Sequence, residues 1–142
     1  MYQRTSERAS LASWAGRIAW AWLPALLYMA GIWWLSSMPI ALPMPSVPLR
    51  DKLAHVIEYG LLGLLVARAV RVSWPLLNGA RALLLAAALT ATWGYFDEVH
   101  QAFVPGRDAN AYDLLADAIG AALGVAIYGA LRALLARRRR LA

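Results

Sequence analysis

From residue 18 to residue 36 the chain runs without one charged side chain, and residues 53–70, 80–96 and 113–131 are nearly as apolar. Each stretch approaches the roughly 20 residues a helix needs to cross about 30 Å of hydrocarbon. A backbone in hydrocarbon can satisfy its own amides only as a helix or a closed barrel. The expected fold is therefore an all-α membrane protein, a single domain over residues 1–142 with four transmembrane helices in a compact bundle. Composition agrees: 61% hydrophobic residues, seven tryptophans and 15% charged residues are too apolar for an ordinary soluble domain.

The connections are short. Met38 to Val47 holds Pro39, Pro43 and Pro45, with Pro48 just after, and proline removes backbone donors, so this stretch reads as an extended loop. Pro75, Asn78 and Gly79 mark a second turn, and Pro105 with Gly106 a third. The first apolar run exceeds a signal-peptide core and no small-x-small cleavage site follows it directly, so it reads as a retained span. Trp20 and Trp22 near one end and Trp33 and Trp34 near the other suit interfacial belts, or packed aromatic contacts.

Basic residues set the orientation. With a cytoplasmic N-terminus, only Arg50, Lys52 and Arg107 of the 14 Lys and Arg face outward, and the rest lie at the inner ends and tails, including the Arg137 to Arg140 run. The positive-inside rule then puts both termini in the cytoplasm of a multi-pass protein of the bacterial inner membrane. The Arg137 to Arg140 run reads as a topology anchor that also touches anionic lipid. The net charge of +6 does not indicate nucleic acid, because the arginines are dispersed without an aromatic-interleaved basic face. The absence of cysteine excludes thiolate metal sites and cysteine nucleophiles.

All but Glu7 of the eight acidic residues, and both histidines, lie between Asp51 and Asp117. Ionisable groups in or near a bilayer are costly unless they pair, face water or coordinate something, so Asp51, His55, Glu58, Asp97, Glu98, His100, Asp113 and Asp117 form a candidate site. In the expected orientation they gather at the outer face. Asp51, His55 and Glu58 share one face of the second helix, Asp113, Asp117, Gly120 and Gly124 one stripe of the fourth, and Thr90, Gly94, Asp97 and Gln101 one stripe of the third if it stays helical that far. Three polar stripes should turn toward one another rather than toward lipid.

Each residue also has a plainer role. Asp51 can cap the second helix, and Asn110 with Asp113 can form a capping arrangement on the fourth. Asp117 and Glu58 lie a turn or more inside their helices, beyond capping. Gly120 and Gly124 suit close helix packing. Asp108 suits a solvated turn, His55 a hydrogen bond to Glu58 or a carbonyl, and His100 an idle solvent-exposed position. Arg107, amid Asp97, Glu98, Asp108 and Asp113, can lock its loop by a salt bridge or hold a phosphate or carboxylate with its planar fork.

The residues also spell a pattern. Ser36 and Ser37 are followed by Pro39; Asp51 and Lys52 by His55, Tyr59 and Gly60; Asp97 and Glu98 by Gln101, Phe103, Pro105, Gly106 and Arg107; then come Asp113, Asp117, Gly120 and Gly124. Over about Ser36 to Gly124 the chain resembles the VanZ-like family of small bacterial membrane proteins, with Asp117 standing where many members carry asparagine. The resemblance implies an integral membrane protein, associated through the family's namesake with reduced susceptibility to the glycopeptide teicoplanin, and it supplies no mechanism.

Two function classes compete. In the first, the outer cluster binds or modifies a lipid or lipid-linked envelope precursor. His55, Glu58, Asp97 and Glu98 are the acid–base candidates, and Lys52, Gln101, Arg107, Asp113 and Asp117 bind substrate. A divalent cation could sit among Asp51, Glu58, Asp97 and Asp117, whose hard oxygens suit magnesium, manganese or calcium. In the second, the same residues form a hydrogen-bonded network in a non-catalytic envelope protein that binds a lipid, an antibiotic or a partner subunit. Oligomeric state is not legible. Ion passage is disfavoured, because the inner half carries no acid except Glu7 in the tail.

Overall fold

In a computed structural model, which describes residues 2–39, 48–107 and 109–141, the chain forms four helices and, among the described residues, no strand. They are α1 (Tyr2–Ser36), α2 (Pro48–Ser73), α3 (Gly79–Gln101) and α4 (Ala111–Leu141). Segments Ser13–Ser36, Arg50–Ser73 and Ala111–Leu141 are long and apolar enough to cross a membrane. The third expected span is a helix of 23 residues with Arg81 in its first turn and the polar Asp97, Glu98, His100 and Gln101 at its end, and it is not among these segments.

The helices run past the apolar segments that nucleate them. α2 starts at Pro48, five residues before the expected boundary, because proline is tolerated in a first helical turn where its missing N–H has no intrahelical acceptor anyway. α3 is capped by Asn78, whose side chain accepts from the Ala80 and Arg81 amides, and it continues through Gln101. α1 remains helical through Pro24. The stretch 40–47 of the proline-rich loop and Asp108 lie outside the described residues. The Pro105-Gly106 turn forms as expected: the Arg107 amide donates to the Val104 carbonyl at 3.1 Å, and Gly106 takes φ +81°, a conformation glycine adopts without steric cost.

Glycine sets how closely α2 and α4 pack. A Cβ on Gly120 would stand 2.5 Å from the Val56 carbonyl oxygen, one on Gly63 would stand 2.7 Å from that of Ala121, and one on Gly124 would overlap the Gly60 carbonyl. The small-xxx-small pair expected on the fourth helix is thus a backbone-to-backbone seam. Leu62, Val66, Val70 and Ala86 fill a buried apolar core, and apolar side chains also stand outward. Trp20, Leu27, Trp34, Ile57 and Leu84 are exposed, whereas Asp97, Glu98, Gln101, Asp113 and Asp117 are buried. Large apolar side chains standing outward on every helix are what a hydrocarbon solvent would cover. The tryptophan belts divide: Trp20 and Trp34 point outward, while Trp22 packs on the core and bonds Ser73 (Nε1 to Oγ 2.8 Å), and Trp33 packs on Trp93 and His100.

Candidate functional site

The polar stripes of α2, α3 and α4 do converge, at the end of the bundle where α1 and α3 finish and α2 and α4 begin. They form two networks. Neighbouring residues of a helix point about 100° apart, and Asp97 and Glu98 accordingly leave α3 in different directions.

Asp97 turns to α1. Its Oδ1 accepts from the Ser36 hydroxyl at 2.6 Å and its Oδ2 from the Gln101 amide at 2.9 Å. One turn along, the His100 ring stacks on Trp33 with centroids 4.0 Å apart, and its Nε2 lies 2.8 Å from Ser37 Oγ. Because that hydroxyl donates to the Trp33 carbonyl, it accepts from His100. Arg107 then closes the network over the end of α1, donating from Nε to the Met38 carbonyl at 3.1 Å and from Nη2 to that of Leu35 at 2.8 Å. A cation on the last carbonyls of a helix meets its negative dipole end. Neither expectation for Arg107, an ion pair with the nearby acids or an uncommitted anion fork, describes what these two donors do. His100 is not idle in solvent either: the indole and the serine hold it.

Glu98 turns to α4. Its Oε2 accepts from the Asn110 amide at 2.8 Å, while Oε1 has no hydrogen-bond partner. Across from it, His55 Nδ1 on α2 stands 2.8 Å from Asp117 Oδ1, and Asp117 Oδ2 is also unpartnered. His55 therefore bonds Asp117 rather than Glu58 or a carbonyl. Glu98 and Asp117 are only 5% and 1% exposed, so neither free oxygen is served by bulk solvent. Nearer the surface, Lys52 bridges Asp51 and Asp113, and His55 Nε2 lies 3.9 Å from Asp113 Oδ1. The capping roles change with this. α2 begins three residues before Asp51, which leaves Asp51 in the first turn beside Lys52. Asn110 does cap α4, accepting from the Tyr112 amide at 2.9 Å, but the Asp113 carboxylate goes to Lys52, since an ammonium is a stronger partner than an amide.

Two triads offer converging ligand atoms, Asp51 with His55 and Asp113, and His55 with Glu98 and Asp117, each set within 4.8 Å. The oxygen quartet expected from sequence does not assemble. Asp97 is committed to α1, and Glu58, half-buried, belongs to neither triad and among the described residues makes no hydrogen bond or ion pair. Thr90 is also separate, bonding back to the Ala86 carbonyl within its own helix. Of the four acid–base candidates, His55 and Glu98 come together. Among the binding candidates, Asp117 and Asp113 join them with Lys52, while Gln101 and Arg107 sit in the α1 network.

Sequence reasoning left Tyr59 and Gly94 without roles. Tyr59 is buried with its hydroxyl unpartnered, and a Cβ on Gly94 would stand 3.0 Å from the Tyr59 ring and 3.1 Å from Asp117 Oδ2. Gly94 thus leaves room for both. A glycine one turn before Asp97 on the same stripe was the available signal.

A family model, VanZ/LLP1, matches residues 14–132. The chain belongs to the VanZ/LLP1 family. The matched region includes both networks and the glycine seam, so the resemblance seen from Ser36 to Gly124 extends through most of α1 and α4. No curated protein and no solved structure matches the chain. With family membership and three helices fit to span, this is a VanZ-like membrane protein.

Proposed function

We propose that this VanZ-like protein is a four-span bundle of the bacterial inner membrane, both termini cytoplasmic, whose outer polar end binds or modifies a lipid or lipid-linked envelope component. One observation carries the reading. Glu98, a buried carboxylate with an unpaired oxygen, lines, with Asn110, a mostly apolar groove of about 340 Å³ walled by Tyr95, Val99, Phe103 and Leu114 between α3 and α4. Such a place suits an amphiphile, with acyl chain along the wall and polar group at the carboxylate. His55, with a ring nitrogen within 4.8 Å of a Glu98 oxygen, lies within reach as proton donor. A second groove of about 750 Å³, lined by Met29, Trp33, Trp93, Phe96 and Phe103, flanks the other side of α3. A link to teicoplanin susceptibility would follow if the bound component is the lipid-linked precursor that glycopeptides recognise.

The competing reading, a non-catalytic structural or partner-binding envelope protein, draws on the saturated network around Asp97. The two separate in purified full-length protein offered photoactivatable lipid and lipid-linked precursors. Crosslinks should map to Val99, Phe103 and Leu114 and fall at least several-fold in Leu114→Trp, which fills the groove. Crosslinking that ignores this variant, with no turnover by folded protein, favours the structural reading. Topology is checked by placing single cysteines at Ser37 and Ala109, because the chain has no background thiols. Labelling only from the cytoplasmic side would overturn the orientation.

A further inference from the structure

We propose that His55, Glu98 and Asp117 bind a divalent cation of the zinc or manganese class. One atom from each, on three different helices, lies within 4.8 Å of the others. Ligands around a single such ion stand up to about 4 Å apart, so a small adjustment of side-chain rotamers closes the set.

Charge and hydrogen bonding both point inward. Two carboxylates, 1% and 5% exposed, face one imidazole, and the nearby ammonium of Lys52 is already divided between Asp51 and Asp113. Among the described residues no Lys or Arg pairs with either buried acid. Each keeps one oxygen with no hydrogen-bond partner, an arrangement that is unfavourable unless a cation or proton occupies it. Gly94 keeps the approach to Asp117 Oδ2 open, because any larger residue would place a Cβ 3.1 Å away.

The surroundings of the imidazole match those of a metal ligand. Nδ1 lies 2.8 Å from Asp117 Oδ1, a contact the ion would replace, and Nε2 lies 3.9 Å from Asp113 Oδ1, a carboxylate placed to orient the ring after a small shift. Lys52 in turn steadies Asp113. One imidazole with two carboxylates is a mixed donor set that suits zinc or manganese better than magnesium or calcium, which favour oxygen alone. Three protein ligands also leave positions open to an anionic group.

The test uses full-length protein in detergent, stripped with chelator and titrated with zinc, manganese and, as contrast, magnesium. Wild type should take up one equivalent of zinc or manganese with a raised unfolding temperature. Glu98→Gln and Asp117→Asn should each weaken binding about tenfold or more, while Asp51→Asn, which touches only the outer triad, changes it less than about twofold. If those variants fail to fold, X-ray absorption on zinc-loaded wild type decides, with one imidazole and oxygen ligands expected. No saturable uptake by folded wild type, a shell without imidazole, or binding that survives loss of both buried acids but not of Asp51 would each overturn the assignment.

Discussion

Two polar networks start from adjacent residues of α3 and differ in completeness. The Asp97 network is closed: both carboxylate oxygens, the His100 Nε2 and two Arg107 nitrogens have partners, and together they fasten α3 and its loop to the end of α1. The Glu98 network is open: Glu98 and Asp117 each bury a carboxylate oxygen without a partner. On the proposed function, the difference separates architecture from site. A buried acid whose oxygens are all satisfied by neutral donors stabilises helix packing, whereas buried acids with oxygens to spare persist at a cost to stability and mark a place for a ligand.

The largest effect is expected where the open network is assembled. Gly124→Ala forces α4 away from the Gly60 carbonyl, and should lower stability by about 3 kcal/mol in detergent unfolding, separating His55 from Asp117 while leaving the Trp33–His100 stack in place. Next comes Asp97→Ala, which orphans the Ser36 hydroxyl and the Gln101 amide, and should cost about 2 kcal/mol by the same measurement. Arg107→Ala uncovers the Leu35 carbonyl in the last turn of α1 and the Met38 carbonyl just beyond it, with an expected loss of about 1 kcal/mol; lysine at this position should recover part of it.

The smallest change is expected in the open network itself. Glu98→Gln keeps an acceptor for the Asn110 amide and removes a buried charge, so chelator-stripped protein should change stability by less than about 1 kcal/mol. Should Glu98→Gln prove as damaging as Asp97→Ala, the two networks would be equivalent and the division between clamp and site would fall.

Much of the fold was legible because hydrocarbon-length apolar runs and proline–glycine breaks are local signals. The Pro105-Gly106 turn, the break at Pro75, Asn78 and Gly79, and the glycine pair on α4 could each be read from a few neighbouring residues. The candidate site was legible only as a crowd. Asp97 beside Glu98 reads as a carboxylate pair, yet the rotation per residue sends one to α1 and the other to α4. Ser36 and Ser37 stood out as a motif, but their acceptor and donor lie more than 60 residues away. Arg107 stands among acids in the sequence, but its partners in the fold are the backbone carbonyls of Leu35 and Met38 at the end of α1, which carry no mark there.

By itself, the sequence determined four helices, their breaks, and the need for buried acids to gather away from lipid, because these follow from hydropathy and backbone chemistry along the chain. Only the tertiary structure decided which acids are saturated and which are not. That depends on helix rotation and on the closeness of α2 to α4, where glycines bring two backbones together and carry His55 to Asp117, a contact set by packing across the bundle.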